Sequence, residues 1–225
     1  MTIDGRKLTV PGPMSDRSWS VHFRKSGAQW TVAESAEFAG LHKRHGLQGP
    51  IDDAFLDSFL FVTPTGTAIS SAVGKWAASE EKRASREWRR QFRGDAPVRD
   101  DKDVTDADIA SNNLILWGDP ASNRVLARIA DRLPVQWNAQ GIVMGKARYS
   151  AESSAAILIY PNPLNPKKYV VLNSGFTFRE LDYLNNARQT PKLPDYAVVD
   201  VTADAGPRWP GKILQAGFFN ETWVF

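Results

Sequence analysis

Asn112-Asn113-Leu114-Ile115-Leu116-Trp117-Gly118-Asp119-Pro120-Ala121-Ser122-Asn123-Arg124-Val125-Leu126-Ala127-Arg128-Ile129-Ala130-Asp131-Arg132-Leu133-Pro134 is the stretch whose reading decides the fold. Leu114 to Trp117 are apolar without alternation, the pattern of a strand buried on both faces, as in a parallel sheet covered by helices. Gly118, Asp119 and Pro120 break that run. Ser122 or Asn123 then caps a helix whose apolar positions Val125, Leu126, Ile129, Ala130 and Leu133 recur at helical spacing, and Pro134 closes it. A polar turn between a buried strand and a helix N-terminus is where open α/β sheets usually bind ligands. It is also what any such connection looks like.

Working outward, a strand is expected at Phe59 to Val62, stopped by Pro64 and Gly66, followed by a helix over Ser70 to Arg93. That helix carries Val73, Trp76, Ala77, Ala84, Trp88 and Phe92 on one stripe. Its other face bears Lys82, Arg83, Arg86, Arg89, Arg90 and Arg93, interleaved with Glu80, Glu81 and Glu87. Such a face is read as solvated surface rather than a nucleic-acid site. Asp95 to Asp108 reads as loop, with a helical turn starting at Thr105. Ile142 to Tyr149 reads as a small hairpin around Gly145-Lys146. Ala155 to Tyr160 and Tyr169 to Leu172 are strands joined too closely for a crossover helix, hence antiparallel or in different layers. A helix capped by Thr177 is expected over Phe178 to Gln189, with Leu181, Leu184 and Ala187 or Arg188 facing inward, then strands at Tyr196 to Val201 and Ile213 to Phe219.

Helices alternating with buried strands define the expected class: a three-layer α/β domain, flavodoxin-like or Rossmann-like, with a mixed sheet, preceded by a β-hairpin. The hairpin, Ser18 to Val32 around Lys25-Ser26-Gly27, follows Pro11-Gly12-Pro13 and reads as the continuation of a preceding domain. Residues 1–45 are therefore assigned to an N-terminal hairpin and linker, and residues 46–225 to the α/β domain. The loop signature runs from Glu34 to Pro50.

With 225 residues the chain can bury a substantial core, and a net charge of +3 is too small to argue for nucleic acid. Cysteine is absent, which removes disulfides, thiolate nucleophiles and Cys-ligated metals. No apolar run approaches the ~18 residues that span a bilayer, so no membrane partner is expected. Met1 is followed by no signal-peptide core, which by itself points to the cytoplasm.

Candidate chemistry is sparse. There is no Gly-x-Ser-x-Gly elbow; Ser174 and Ser122 are the serines at strand ends, and Ser174 with His45 and Asp200 makes a triad only on paper. His42 and His45, with Asp52-Asp53 following, offer possible metal ligands in a loop; structural roles are preferred, with Asp53 capping the turn before Phe55. Neither Pro64-Thr65-Gly66 nor Gly118-Asp119-Pro120 matches a dinucleotide or phosphate loop, so no cofactor is expected. What remains is a rim of small polar residues at strand ends: Thr65, Asp119, Ser122, Asn123, Asn162, Asn165, Asn173, Ser174 and Arg179. These could hydrogen-bond a glycan or peptide, or brace turns and cap helices. Bracing is the preferred reading.

At Gly46-Leu-Gln-Gly-Pro-Ile-Asp-Asp-Ala-Phe-Leu-Asp-Ser-Phe59, Asn113 to Asn123, Ile159 to Gly175 and Pro191 to Asp200, the chain resembles the C-terminal region of large bacterial prolyl oligopeptidase-like hydrolases of the secreted type. In that family the α/β-hydrolase catalytic module, with its serine elbow, lies upstream of this region. The resemblance therefore implies a non-catalytic accessory or interaction domain that packs on the catalytic module or meets a glycan or peptide substrate, and it carries over no catalytic residue. It also implies a secreted or periplasmic location within a longer precursor. The alternative is a self-contained serine hydrolase, esterase or peptidase, using Ser174 or Ser122.

Overall fold

A computed structural model describes residues 1–34 and 40–225 and divides the chain into two units, Met1–His42 and Lys43–Phe225. Part of the loop expected over 34–50 lies outside the described residues. The first unit holds two antiparallel hairpins, β1 (Thr2–Ile3) with β2 (Arg6–Lys7), and β3 (His22–Ser26) with β4 (Gln29–Ala33). The second pair turns at Gly27, whose φ of 56° a side chain would strain.

The second unit is a mixed α/β domain. In chain order it contains β5 (Phe59–Thr63), α1 (Ser71–Phe92), β6 (Val98–Asp100), α2 (Asp106–Ser111), β7 (Asn113–Leu116) and α3 (Arg124–Ala127). A small meander follows, β8 (Val135–Asn138), β9 (Gly141–Met144) and β10 (Ala147–Tyr149), and then β11 (Ser154–Asn162), β12 (Asn165–Leu172), β13 (Tyr196–Asp200) and β14 (Lys212–Gly217). Seven strands form the central sheet in the order β14-β13-β11-β12-β7-β5-β6. β6, β5, β7 and β12 are parallel; β11 is antiparallel to both of its neighbours, and β14 to β13. Every residue of β11 and β7 is buried, so these strands are covered on both faces, as their unbroken apolar runs require.

Helix α1 covers one face through aromatic contacts. Trp88 meets Phe59 edge-on at 4.6 Å and Phe55 at 6.0 Å. Ser70 caps it, accepting from the N–H groups of Ala72 and Val73, and Arg93 closes it in the left-handed conformation. The turn at Thr105 forms a capping box with Asp108.

Four expectations are corrected. The helix after β7 is a single turn: Ile129 leaves helical geometry at φ −120°, and a 3-10 turn at Ala130–Arg132 leads into β8 while Ile129 and Leu133 stay buried. β6 was unforeseen because only Val98 in it is apolar; it is a short polar edge. β8 adds a third strand to the hairpin. The helix expected over 178–189 does not form. Thr177 donates its hydroxyl to Asp52 instead of capping, and the segment makes only 3-10 turns, Glu180–Leu184 and Asn186–Arg188. Leu184 is 72% exposed rather than inward-facing.

That segment connects β12 to β13, two strands that run the same way with β11 between them. It is therefore a crossover, made of irregular chain where a helix is usual.

Asn123 anchors the stretch that decides the fold. Fully buried, it accepts from Val125 N and Leu126 N as the α3 cap and donates to the carbonyls of Val62 and Trp117. Asn123→Ala strips the side-chain partner from these four backbone groups, of which Val62 O still accepts from Trp117 N, and urea denaturation will show a loss of about 2–3 kcal/mol.

Candidate functional site

The carboxyl ends of β5, β6, β7 and β12 lie along one edge of the sheet, where a ligand would be sought in an open α/β fold. The polar side chains there are occupied by the protein itself. Asn173 accepts from Gly118 N at 2.8 Å and donates to the carbonyls of Gly118 and Ala156, tying three strands together. Asp119, with no exposed surface, accepts from Ile69 N, Ala121 N and Ser122 N. The Ser122 hydroxyl accepts from Asp119 N and donates to Asp119 O. Gly118 needs to be glycine, because at φ 91° a Cβ would stand 2.5 Å from that hydroxyl.

At the β5 and β6 ends, Asp101 accepts from the Thr65 hydroxyl at 2.6 Å and from Arg124 N at 2.7 Å. Burial opposes its ionisation, but these donors outweigh it and hold its carboxyl below the usual value. Glu81, reaching from α1 to the Thr63 hydroxyl, is pushed up, chiefly by burial and further by the Asp100 charge. A raised acid is one the folded state prefers neutral, so its contribution to stability is present below the ordinary glutamate value of 4.5 and is lost as pH rises through the folded-state value. Glu81→Gln removes that loss: relative to the wild type it will gain stability as pH climbs above 4.5 and then level off, checked by urea midpoints across pH 4–8.

Asn162 and Asn165 do not belong to this rim. They lie in the β11–β12 turn at the opposite end of the sheet, where Asn162 accepts from Leu164 N and Asn165 donates to the carbonyls of Ile109 and Ala110. The Ser174 hydroxyl donates to Gly175 O, and Asp200 accepts from the hydroxyl and N–H of Thr202. Neither is hydrogen-bonded to His45, whose side chain is exposed, so the triad is not assembled. Asp52 accepts from Thr177, and burial pushes its carboxyl up. Asp53 caps nothing; it accepts from the Tyr169 hydroxyl. No cluster of three or more His, Asp or Glu side chains suited to a metal occurs among the described residues. His42 belongs to the first unit, and His45 and Asp52 to the second.

Arg179 sits in the best-formed polar arrangement of the domain. Its guanidinium pairs with both oxygens of Glu80 at 2.7 and 3.1 Å, both side chains being less than a tenth exposed, and its Nε donates to Gly206 O. One helical turn on, Arg83 grips both oxygens of Glu180 at 3.1 and 3.2 Å. Glu87, also buried, accepts from Arg86 and from the Tyr183 hydroxyl, and Arg90 lies over the Tyr183 ring. Of the basic face of α1 only Arg83 is buried; Lys82, Arg86, Arg89, Arg90 and Arg93 remain exposed, and the face holds the crossover through Arg83 and, at its rim, Arg86 and Arg90. A cleft of about 360 Å³ opens between α1, residues 179–180 and residues 205–207.

Glu80, Arg83 and Glu180 were missed as site residues, although a signal was there. Glu80 occupies position i+7 from Val73 and i+4 from Trp76, a core position of the helical stripe. A charge at such a position requires a buried partner.

No family model, curated protein or solved structure matches the chain.

Removing one member of a buried pair strands the other, so Glu80→Ala will cost about 3–5 kcal/mol, read from chemical denaturation. Loss of protection from proteolysis will appear first in residues 177–193.

Proposed function

We propose that the chain is a non-catalytic accessory domain of a secreted or periplasmic prolyl oligopeptidase-like hydrolase, and that it packs on the α/β-hydrolase catalytic module through β14 and residues 218–225. We read its sheet as a doubly wound, flavodoxin-like or Rossmann-like sheet extended by antiparallel strands. The observation that carries the proposal is a set of large apolar side chains left exposed in β14 and the segment that follows it. Leu214 is 38% exposed, Phe218 66%, Val224 52% and Phe225 41%. Exposed apolar residues gathered on one rigid surface mark an interaction site, whereas scattered ones need no explanation.

The segment is rigid. Phe225 packs on Tyr196 at 4.9 Å and Phe219 at 5.0 Å, and Asn220 holds the turn by accepting from Thr222 N and Val224 N. β14 has a single neighbour in the sheet, leaving one line of backbone donors and acceptors unpaired within it. In the other direction, the serine and rim residues offered for hydrolysis are bonded within the fold, which weighs against a self-contained serine hydrolase. No helix among the described residues is long and apolar enough to cross a membrane.

The test is titration of the chain against a separately produced catalytic module of a prolyl oligopeptidase-like hydrolase that carries this region. Saturable binding weakened at least tenfold by Phe218→Asp, with an unchanged urea midpoint, is the expected outcome. Hydrolysis of activated esters or aminoacyl substrates by the chain alone, abolished by Ser174→Ala, would overturn the reading.

A further inference from the structure

The cleft beside α1 lies in a different part of the domain from β14 and stands on its own observations. Its two ion pairs differ in character. The inner one, Glu80–Arg179, is closed to solvent and fixes the crossover backbone. The outer one is open: the Glu180 side chain is 31% exposed, and Arg86, itself 65% exposed, reaches it at 3.9 Å. Glu180 is surrounded by cations, Arg83 gripping it with two bonds and Arg86 and Arg179 standing close enough to act on its charge. The other acids facing the cleft and α1 are committed elsewhere, Glu80 to Arg179 and Glu87 to Arg86, Arg90 and Tyr183.

We propose that this cleft is a carboxylate-binding site in which Glu180 is the resident carboxylate, and that the carboxylate of a small ligand takes its place on Arg83 and Arg86. The guanidinium of Arg83 is nine-tenths buried and already oriented, and a planar fork accepting both oxygens of a carboxylate is the geometry it displays toward Glu180. Exchange leaves the backbone where it is, because the turn is anchored without Glu180. Arg179 is bound to Glu80 and Gly206 O, Asp182 accepts from Arg179 N, and Leu181 N donates to Pro207 O. Only the Glu180 side chain has to swing outward. The cleft volume of about 360 Å³ suits a ligand the size of a small dicarboxylate or a sugar acid rather than a polymer.

A resident competitor lowers apparent affinity by the fraction of molecules in which it has left, so its neutralisation exposes the site. The experiment is calorimetric titration of the full chain with glutarate and with galacturonate, each beside its neutral counterpart, glutaramide or galactose, with the Arg83 and Arg86 Nε–H signals followed by NMR. The expected result is weak binding to the wild type, binding about tenfold or more tighter to Glu180→Gln, and reversal of most of that gain in Glu180→Gln/Arg86→Gln. Both substitutions are at partly exposed side chains, and denaturation midpoints establish that the variants are folded. Preference for one acid over the other assigns an acyclic or a sugar carboxylate. Equal affinity of Glu180→Gln and wild type, equal binding of the neutral counterpart, or no saturable binding of either acid to Glu180→Gln would overturn the proposal.

Discussion

The Glu80–Arg179 pair is the constraint on which one half of this domain depends. β12 and β13 run in the same direction with β11 between them, so the chain joining them must cross a face of the sheet. A helix would satisfy its own backbone and present an apolar stripe to that face. Residues 173–195 form only short 3-10 turns; they bury Phe176, Phe178 and Leu193, and are further held by side chains reaching from other elements: Glu80 and Arg83 from α1, and Asp52 from the 3-10 turn Ile51–Phe55. A buried ion pair adds little net stability compared with apolar residues of the same size, because both charges must be desolvated. What it supplies is position. Neither partner tolerates the loss of the other, so the crossover has one place to lie.

The same economy of polar groups explains the sheet's carboxyl edge. In an open α/β sheet this edge is left to loops that bind ligands. Here Asn123, Asn173, Asp119 and Ser122 spend their hydrogen-bonding capacity on backbone groups of β5, β11 and the turn that follows β7. Amide side chains suit that task because each offers donors and an acceptor at once, and Asn123 uses both to cap a helix and tie β5 to the end of β7. The rim is a brace, and the open polar cleft of the domain lies instead on the flank of α1.

Most of the elements were legible in the sequence, for physical reasons. Unbroken apolar runs at Leu114–Trp117, Ala155–Tyr160 and Tyr196–Val199, short and bounded by turn residues, read as strands covered on both faces, and the long apolar stripe of α1 reads as an amphipathic helix. The short link between Tyr160 and Tyr169 ruled out a crossover helix and left an antiparallel pair or different layers, and the structure shows the pair. The crossover was not legible, since Thr177, Leu181 and Leu184 have the spacing of a capped helix and only tertiary contacts with Asp52 and α1 override it. Strand order was also out of reach, and with it the fact that Asn162 and Asn165 lie at the far end of the sheet from Asn173. The ion-pair cleft was half legible: Glu80 stood at a core position of the helix, but its partner lies 99 residues away.

The two edges of the sheet carry a further argument about how the domain meets its surroundings. Bare edge strands are templates for unwanted pairing, and proteins blunt them by keeping them short or charging them. β6 is blunted in both ways, with three residues that include Arg99 and Asp100. β14 is less protected: a register shift at Leu214 interrupts its pairing with β13, but its six residues, Lys-Ile-Leu-Gln-Ala-Gly, carry one charge, at the end, and run directly into Phe218. The free edge of β14 and the exposed faces of Leu214, Phe218 and Phe225 thus combine two liabilities in one place, while the polar side chains of the domain are drawn inward to brace it. A covering partner relieves both at once, burying the apolar side chains and meeting the unpaired backbone. It is this coincidence, more than the exposure of any single residue, that favours docking over catalysis as the work of this domain.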